Sequence, residues 1–216
     1  MQRKDAIDLR VLLLLVVLVV VAGGVALLTV GGSSGSTKKP QAQNAKFDAE
    51  GLLTPVRAAP PLSLRNYLGQ RVDLASYKGK AVFVTFIYTH CPDVCPLITS
   101  NLRVAQNLMS HVAASKTAMI AVSVDPRGDT RKAVAAFLAR HEMTGRMQYL
   151  VGSQKELVAA WKAWGVGSER DVKQPEFVNH SGLIYGITGS GKRMTIYAAN
   201  FQPSDIAHDA PLLATR

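Results

Sequence analysis

The sequence lacks several features that would assign it to a common class of protein. It has only two cysteines, Cys91 and Cys95, and no cysteine follows the long apolar run near the N-terminus that could carry a lipid. Three residues separate the two cysteines, one more than in the C-x-x-C pair of thioredoxin-type redox sites. The 25 basic residues outnumber the 15 acidic ones but are scattered and not interleaved with aromatics, which argues against nucleic acid as a partner. The net charge of +10 instead fits a basic surface that faces anionic lipids or steers an acidic partner.

A nucleotide-binding loop is also missing. The segment GITGSGK, residues 186–192, matches G-x-x-x-x-G-K, but Arg193 stands where the motif needs a serine or threonine for magnesium. The residues that follow are β-branched and typical of a strand, so no helix N-terminus is available to hold a phosphate. The segment GSG therefore predicts a hairpin turn, and we expect no nucleotide partner.

One long segment lacks charge altogether. Residues 11–30 are apolar except for one threonine, and a helix of this length, at about 1.5 Å per residue, spans the roughly 30 Å hydrocarbon core. This predicts one transmembrane anchor, with residues 1–10 on the cytoplasmic side. A cleaved signal peptide is the alternative, because Arg3, Lys4 and Arg10 precede the run, but the run is longer than the usual signal core. The short N-terminal arm predicts that the large domain lies on the extracytoplasmic, periplasmic side of the cell membrane.

The segment after the apolar run has a different composition. Residues 31–55 are rich in Gly, Ser, Lys, Pro, Gln and Asn and cannot bury enough apolar surface to stay folded. They predict a flexible linker. The folded domain is then expected at residues 56–216.

The domain sequence alternates strand-like and helix-like segments. A short hairpin around Gly69 leads in, and the run AVFVTFIY at 81–88 is typical of a central strand buried on both faces. The later predicted elements are a helix at about 96–111, a strand at 118–124, a helix capped by Thr130, a strand at 147–152, a helix from Ser153 to Gly165, a strand pair at 182–188 and 192–199, and a helix at 203–214.

This order of elements predicts the fold class. Helices that connect parallel strands must cover both faces of the sheet, which gives a three-layer α/β sandwich. The closing antiparallel hairpin on such a sheet is a thioredoxin-like arrangement. We therefore predict a thioredoxin-like three-layer sandwich with a C-terminal β-hairpin, preceded by one N-terminal transmembrane helix.

The two cysteines are predicted to lie where the first central strand leads into a helix, with Pro96 at the first helical position. A helix N-terminus lowers the pKa of a thiol and makes thiolate available. If Cys91 and Cys95 adopt helix-like geometry, their Cβ atoms are about 5–6 Å apart. A relaxed disulfide needs about 3.5–4.5 Å, whereas two thiolates on one metal accept the wider spacing. The spacing favours a metal site over a stable disulfide, and a redox pair remains an alternative.

A third ligand has to come from the five histidines, His90, His111, His141, His180 and His208. His90 adjoins Cys91, but neighbouring residues on an extended segment point to opposite faces. Position favours His180, because the loop before the closing hairpin packs against the start of the cysteine-bearing helix in a thioredoxin-like sheet. Two thiolates and one imidazole suit copper, and zinc accepts the same donors when a water is the fourth ligand.

Three segments together resemble the Sco/SenC family, the membrane-anchored copper proteins that assist assembly of cytochrome c oxidase. They are YTHCPDVCP at 88–96, SVDPRGDT at 123–130 and VNHSGLIYGITGSGK at 178–192. The resemblance covers roughly residues 59–216. It implies a copper ion bound by Cys91, Cys95 and His180, with Asp93 near the metal or at a docking surface and not a ligand. Asn179 stands where many relatives have Asp, which bears on the orientation of the histidine.

The resemblance implies a copper metallochaperone, and not an enzyme, that helps to mature the binuclear copper centre of cytochrome c oxidase subunit II. Another copper chaperone or a thioredoxin-like reductant would be a further partner. The alternative is a thiol-disulfide oxidoreductase that reduces the cysteines of that copper centre, for which His180 would be expendable. A peroxiredoxin-like peroxidase is disfavoured, because no Thr-x-x-Cys arrangement ends at Cys91.

Overall fold

The computed structural model of the protein describes residues 47–170, 178–180 and 182–216. The predicted cytoplasmic N-terminus, the predicted anchor at 11–30 and most of the predicted linker lie outside these residues. Among the residues that are described, no helix combines the length and the apolar character needed to cross a bilayer.

The described elements include the predicted ones in the predicted order, with an additional first strand, an additional strand pair before the closing hairpin and one additional short helix. The strands are β1 (Gly51–Ala58), β2 (Ser63–Asn66), β3 (Arg71–Asp73), β4 (Ala81–Ile87), β5 (Thr117–Ser123), β6 (Met147–Val151), β7 (Ser168–Arg170), β8 (Val178–His180), β9 (Ile184–Ile187) and β10 (Lys192–Tyr197). The helices are α1 (Val94–Leu108), α2 (His111–Ser115), α3 (Arg131–Arg140), α4 (Gln154–Trp164) and α5 (Pro203–Ala214), with a 3-10 turn at Leu74–Tyr77.

A mixed sheet organises the domain. Its strand order is β1-β10-β9-β4-β5-β6-β2-β3, and β7 and β8 form a separate pair. The strands β4, β5 and β6 are parallel, whereas β9 runs antiparallel to β4. The predicted parallel core and the closing hairpin are therefore confirmed, and the GSG segment forms the turn between β9 and β10.

The central strand β4 is buried along its whole length, as its apolar run predicts. Phe83 and Phe86 are an odd number of positions apart and so point to opposite faces of the sheet. The Phe83 ring lies 5.9 Å from that of Tyr197, whose hydroxyl donates to Asp209 of α5, and the Phe86 ring lies 5.8 Å from Trp164 of α4. Helices therefore cover both faces, which matches the predicted layers.

One predicted helix is divided into two. The sequence predicts a helix over about 96–111, but α1 ends at Leu108 and α2 starts at His111. The break occurs because the Ser110 side chain accepts the backbone N–H of Ala113 and so caps a new helix.

The domain also begins earlier than predicted, so the linker boundary at residue 55 is wrong. Phe47 and Ala49 are buried, and β1 pairs with β10 along the sheet edge. The buried carboxylate of Asp209 accepts the backbone N–H groups of Asp48 and Ala49 at 2.8 and 2.9 Å. His208 adds a contact of 3.3 Å from its Nδ1 to Asp48 Oδ2. Composition misses this attachment because only two apolar side chains and the backbone hydrogen bonds to Asp209 hold an otherwise polar segment.

Candidate metal centre

The cysteines lie where β4 leads into α1, as predicted. Cys91 precedes the helix, and Cys95 is its second residue. Neither cysteine is in a disulfide; Cys95 is fully buried, whereas Cys91 keeps 7% of its surface exposed. The backbone N–H of Cys95 donates to Cys91 Sγ over 3.4 Å, so the first turn of the helix directs a donor at this sulfur. Pro96 is the third helical residue and not the first. Its lack of an N–H group does not weaken the helix, because the first four N–H groups of a helix have no partner within it.

The pKa values of the two thiols are shifted in opposite directions. A hydrogen bond from the Cys95 thiol, helped by the backbone N–H groups of Asp93 and Cys95, lowers the pKa of Cys91 to about 6. Burial, and then the neighbouring Cys91 sulfur, raise the pKa of Cys95 far above the usual range of a thiol. Near neutral pH the pair therefore holds one thiolate, and a metal that binds both sulfurs must displace the proton of Cys95.

Asp93 lies beside the outer sulfur and begins the helix. Its Oδ1 accepts the backbone N–H of Val94, and Cys91 Sγ lies 3.7 Å from the same oxygen. The charge of Asp93 opposes ionisation of the thiol and so partly offsets the lowering of the Cys91 pKa. The cap explains why an aspartate suits this position. Its role as a docking group stays a prediction.

A buried carboxylate that the sequence analysis did not single out supports the cysteine segment. Asp129 accepts the backbone N–H of Thr89 at 2.8 Å, the hydroxyl of Tyr149 at 2.8 Å and the hydroxyl of Ser123. Burial raises the pKa of Asp129, and these donors oppose that shift. The Tyr149 hydroxyl also lies 3.3 Å from the carbonyl oxygen of Ile87, so the network fixes the chain between β4 and Cys91.

The sequence carried a weak signal for Asp129. The segment SVDPRGDT contributed to the family resemblance, but it contains two aspartates, Asp125 and Asp129, that pattern alone does not distinguish. Both are buried, and only the contacts show that Asp129 reaches Thr89 across the sheet edge.

Four of the five histidines have other surroundings. His90 Nδ1 lies 3.1 Å from Thr89 Oγ1, and a Cβ added at Gly128 would lie 3.0 Å from the same nitrogen. His90 therefore turns toward the loop after β5. His111 is the exposed first residue of α2, and not a residue late in a helix as predicted.

The remaining two of these histidines have identified partners. His141 stacks on Phe137 with 4.6 Å between ring centres, its Nδ1 lies 3.2 Å from Ser100 Oγ, and burial lowers its pKa. His208 Nδ1 lies 2.8 Å from Asp209 Oδ1, and this contact raises the His208 pKa. Both imidazoles are engaged in structural contacts, so neither needs a metal to explain its position.

His180 is the last residue of β8, where Ser168 of β7 is its partner, so the predicted loop is a short two-stranded sheet. The chain then passes α1: a Cβ added at Gly182 would lie 3.7 Å from Ile98 Cδ1. Ile98 follows Cys95 by three positions on the same helix. The backbone just after His180 therefore runs beside the cysteine-bearing helix, and the ligand role of His180 stays a prediction.

Comparison with known proteins identifies relatives for most of the chain. The family model SCO1/SenC matches residues 53–213. The human mitochondrial SCO1 homolog is 24% identical over 174 residues, which are 79% of this chain and 57% of the human protein. The chain thus spans little more than half the length of this curated relative.

Solved structures match the same region. The copper-bound structure of ScoI from Bradyrhizobium japonicum is 27% identical, with a TM-score of 0.61 over 73% of this chain and 99% of that one. BsSco, a member of the Sco family of cytochrome c oxidase assembly proteins in which a disulfide switch was identified, is 26% identical, with a TM-score of 0.59 over 74% of this chain and 95% of that one.

The pKa difference between the thiols predicts selective alkylation. Iodoacetamide should modify Cys91 in the reduced, metal-free protein at a rate that rises with pH and is half-maximal near pH 6, because a pKa of about 6 leaves mostly thiolate above that pH. Cys95 should stay unmodified. Mass spectrometry of samples quenched across the pH series measures both rates. Cys95→Ala should raise the pH of the midpoint, because it removes the hydrogen bond that the Cys95 thiol donates to Cys91. A wild-type midpoint at about pH 8.5, the value of an ordinary thiol, would contradict the lowered pKa of Cys91.

The Asp129 network predicts a graded loss of stability. Asp129→Ala leaves the half-buried Thr89 N–H and the buried Ser123 hydroxyl without their acceptor, which should lower the free energy of unfolding by about 2–4 kcal/mol. Tyr149→Phe is the matched control: it removes a single donor and should cost about 1 kcal/mol. Urea unfolding followed by tryptophan fluorescence measures both. An Asp129→Ala protein within about 0.5 kcal/mol of the wild type would show that the network does not hold this segment.

Proposed function

The chain belongs to the SCO1/SenC family, and on that premise we propose that it is a membrane-anchored copper metallochaperone. The observation that carries the proposal is the pair of thiols at the start of α1, which form no disulfide and one of which has a lowered pKa. Copper is the cargo, and Cys91, Cys95 and His180 are its proposed ligands. The proposed acceptor is the binuclear copper centre of cytochrome c oxidase subunit II.

The donor atoms suit this cargo. Thiolate sulfur is a soft ligand that favours copper, and imidazole binds copper in either oxidation state. The copper-bound relative from Bradyrhizobium japonicum, which matches nearly all of its own length, supports copper over zinc. Binding must displace the proton of Cys95, so affinity should fall as pH falls.

The unequal burial of the sulfurs suggests how copper leaves. A ligand from an acceptor protein reaches the partly exposed Cys91 before the fully buried Cys95. Exchange of one ligand at a time keeps copper coordinated throughout the transfer. Leu97, one turn into α1, is 43% exposed and offers an apolar contact for the acceptor beside the thiols. The predicted anchor at 11–30 would hold this domain on the extracytoplasmic side of the membrane.

A second function is favoured by the same pKa difference. An accessible thiolate paired with a buried thiol is the arrangement that disulfide exchange requires. Cys91 would attack a disulfide of the acceptor and release one thiolate, and Cys95 would then lose its proton and attack Cys91, releasing the second. Two electrons pass to the acceptor, and a thioredoxin-like reductant would restore the dithiol. The disulfide switch of BsSco supports this alternative.

Complementation separates the two functions. In cells that lack the protein, Cys91→Ala, Cys95→Ala and His180→Ala should each fail to restore oxidase activity, and added copper should partly rescue the loss, because a carrier needs all three donors. His111→Ala is the matched control, since this exposed histidine starts α2, and it should complement fully. If His180→Ala restores activity as well as the wild type while both cysteine variants fail, the protein is a dithiol reductase and not a copper carrier.

A further inference from the structure

The domain presents a second distinctive surface at the end of the sheet opposite to the thiols. Cys91 follows the carboxyl end of β4, whereas the amino ends of β4 and β5 meet where the Ala81 N–H donates to the Lys116 carbonyl. We call the surface formed there by Leu108, Val112, Lys80 and Lys116 the distal face. Val112 and Lys116 adjoin, because the Lys116 N–H donates to the carbonyl of Val112, and Leu108 lies two residues before the Ser110 cap of the same short helix.

The distal face exposes apolar side chains. Val112 is 67% exposed and Leu108 is 59% exposed, the two highest values among the large apolar residues that the structure describes. Leu108 ends α1 and Val112 lies in α2. Two such side chains on a single exposed corner indicate contact with something apolar outside the domain.

The charges around these side chains have one sign. Lys78, Lys80 and Lys116 are exposed at this end. Residues 74–92 and 94–124, which carry Leu108, Val112 and the three lysines, contain no aspartate or glutamate. Of the acidic residues next to this end, Asp73 accepts the backbone N–H of Ala75, and Asp48 lies 3.3 Å from His208. The acidic residue just before β6, Glu142, is already paired with Arg103 at 3.4 Å. An excess of basic residues around apolar side chains complements a surface that is both anionic and apolar.

The chain enters the domain at the same end. The guanidinium of Arg216 lies 4.9 Å from the centre of the Phe47 ring, and the Arg216 carbonyl accepts the N–H of Ser190 in the turn between β9 and β10. Residues 31–46 separate Phe47 from the predicted anchor, and a stretch of that length reaches at most about 55 Å. A tether of that length would let this end of the domain reach the bilayer.

We propose that the distal face docks on a membrane surface that contains anionic lipid. Leu108 and Val112 would enter the interfacial layer, and the lysines would contact lipid phosphates. The inference rests on the membrane anchoring in the proposed function. Docking in this manner turns the thiols away from the lipid, because they lie beyond the far end of β4, a strand of seven residues or about 23 Å.

The test uses the full chain in nanodiscs with and without anionic phosphatidylglycerol. A nitroxide is attached at Leu108→Cys or Val112→Cys, in a background of Cys91→Ser and Cys95→Ser that leaves a single thiol. Leu97→Cys is the matched control: it is an exposed leucine of the same helix, about 16 Å nearer the thiol end. Collision with oxygen reports lipid exposure, and collision with a water-soluble nickel chelate reports water exposure.

We expect positions 108 and 112 to favour oxygen in discs with anionic lipid, while position 97 favours the nickel chelate in every disc. Lys116→Gln should reduce the ratio of docked to free domain about fivefold, because each lysine near such a surface contributes about 1 kcal/mol.

If the chain stays in the discs but positions 108 and 112 match position 97, the docking proposal is wrong and the anchoring stands. Labels at 108 and 112 that are protected from both reagents would mean protein contact instead of lipid. A chain that separates from the discs would overturn both docking and anchoring.

Discussion

The candidate site depends on a single buried carboxylate. Strand β4 is paired on both sides, but its ladder ends at Ile87, and the backbone beyond it would carry unsatisfied groups into the interior. Asp129 satisfies one of them by accepting the Thr89 N–H, while its second oxygen accepts the hydroxyls of Ser123 and Tyr149. The chain that leads to Cys91 is thereby fixed to the end of β5 and to β6 at once.

This fixed segment explains the difference between the thiols. Because the chain enters α1 just after Cys91, this sulfur receives an N–H donor from the first helical turn, whereas Cys95 points into the core between the helix and the sheet. One sulfur is therefore charged and slightly exposed, and the other is neutral and fully buried. A copper carrier and a dithiol reductase can both use that asymmetry, so the thiols by themselves do not decide between them. The deciding group is the imidazole.

Much of the fold could be predicted because its signals are local. The apolar run of β4, the capping residues Thr130 and Ser153 and the turn at GSG each act within a few residues, and each lies where the sequence predicts. The early start of the domain could not be predicted, because it depends on Asp209, which contacts Asp48 and Ala49 from 160 or more positions away.

The candidate site, like the fold, was predictable where its signals are local in the sequence. Its two thiols are close in sequence, and their position at a strand end follows from topology. The support from Asp129 was not predictable, because its contact with Thr89 crosses 40 positions and three elements. His180 is intermediate: its segment runs beside α1 as the topology suggests, but it forms a strand with β7 and not a loop.

X-ray absorption at the copper edge tests the central claim most directly. In the copper-loaded protein, the fine structure should require two sulfur neighbours at about 2.3 Å together with the multiple-scattering pattern of one imidazole. That imidazole pattern should vanish in His180→Ala and persist in His111→Ala. A wild-type spectrum with sulfur neighbours alone, or one whose imidazole signal survives His180→Ala, would contradict the proposed ligand set.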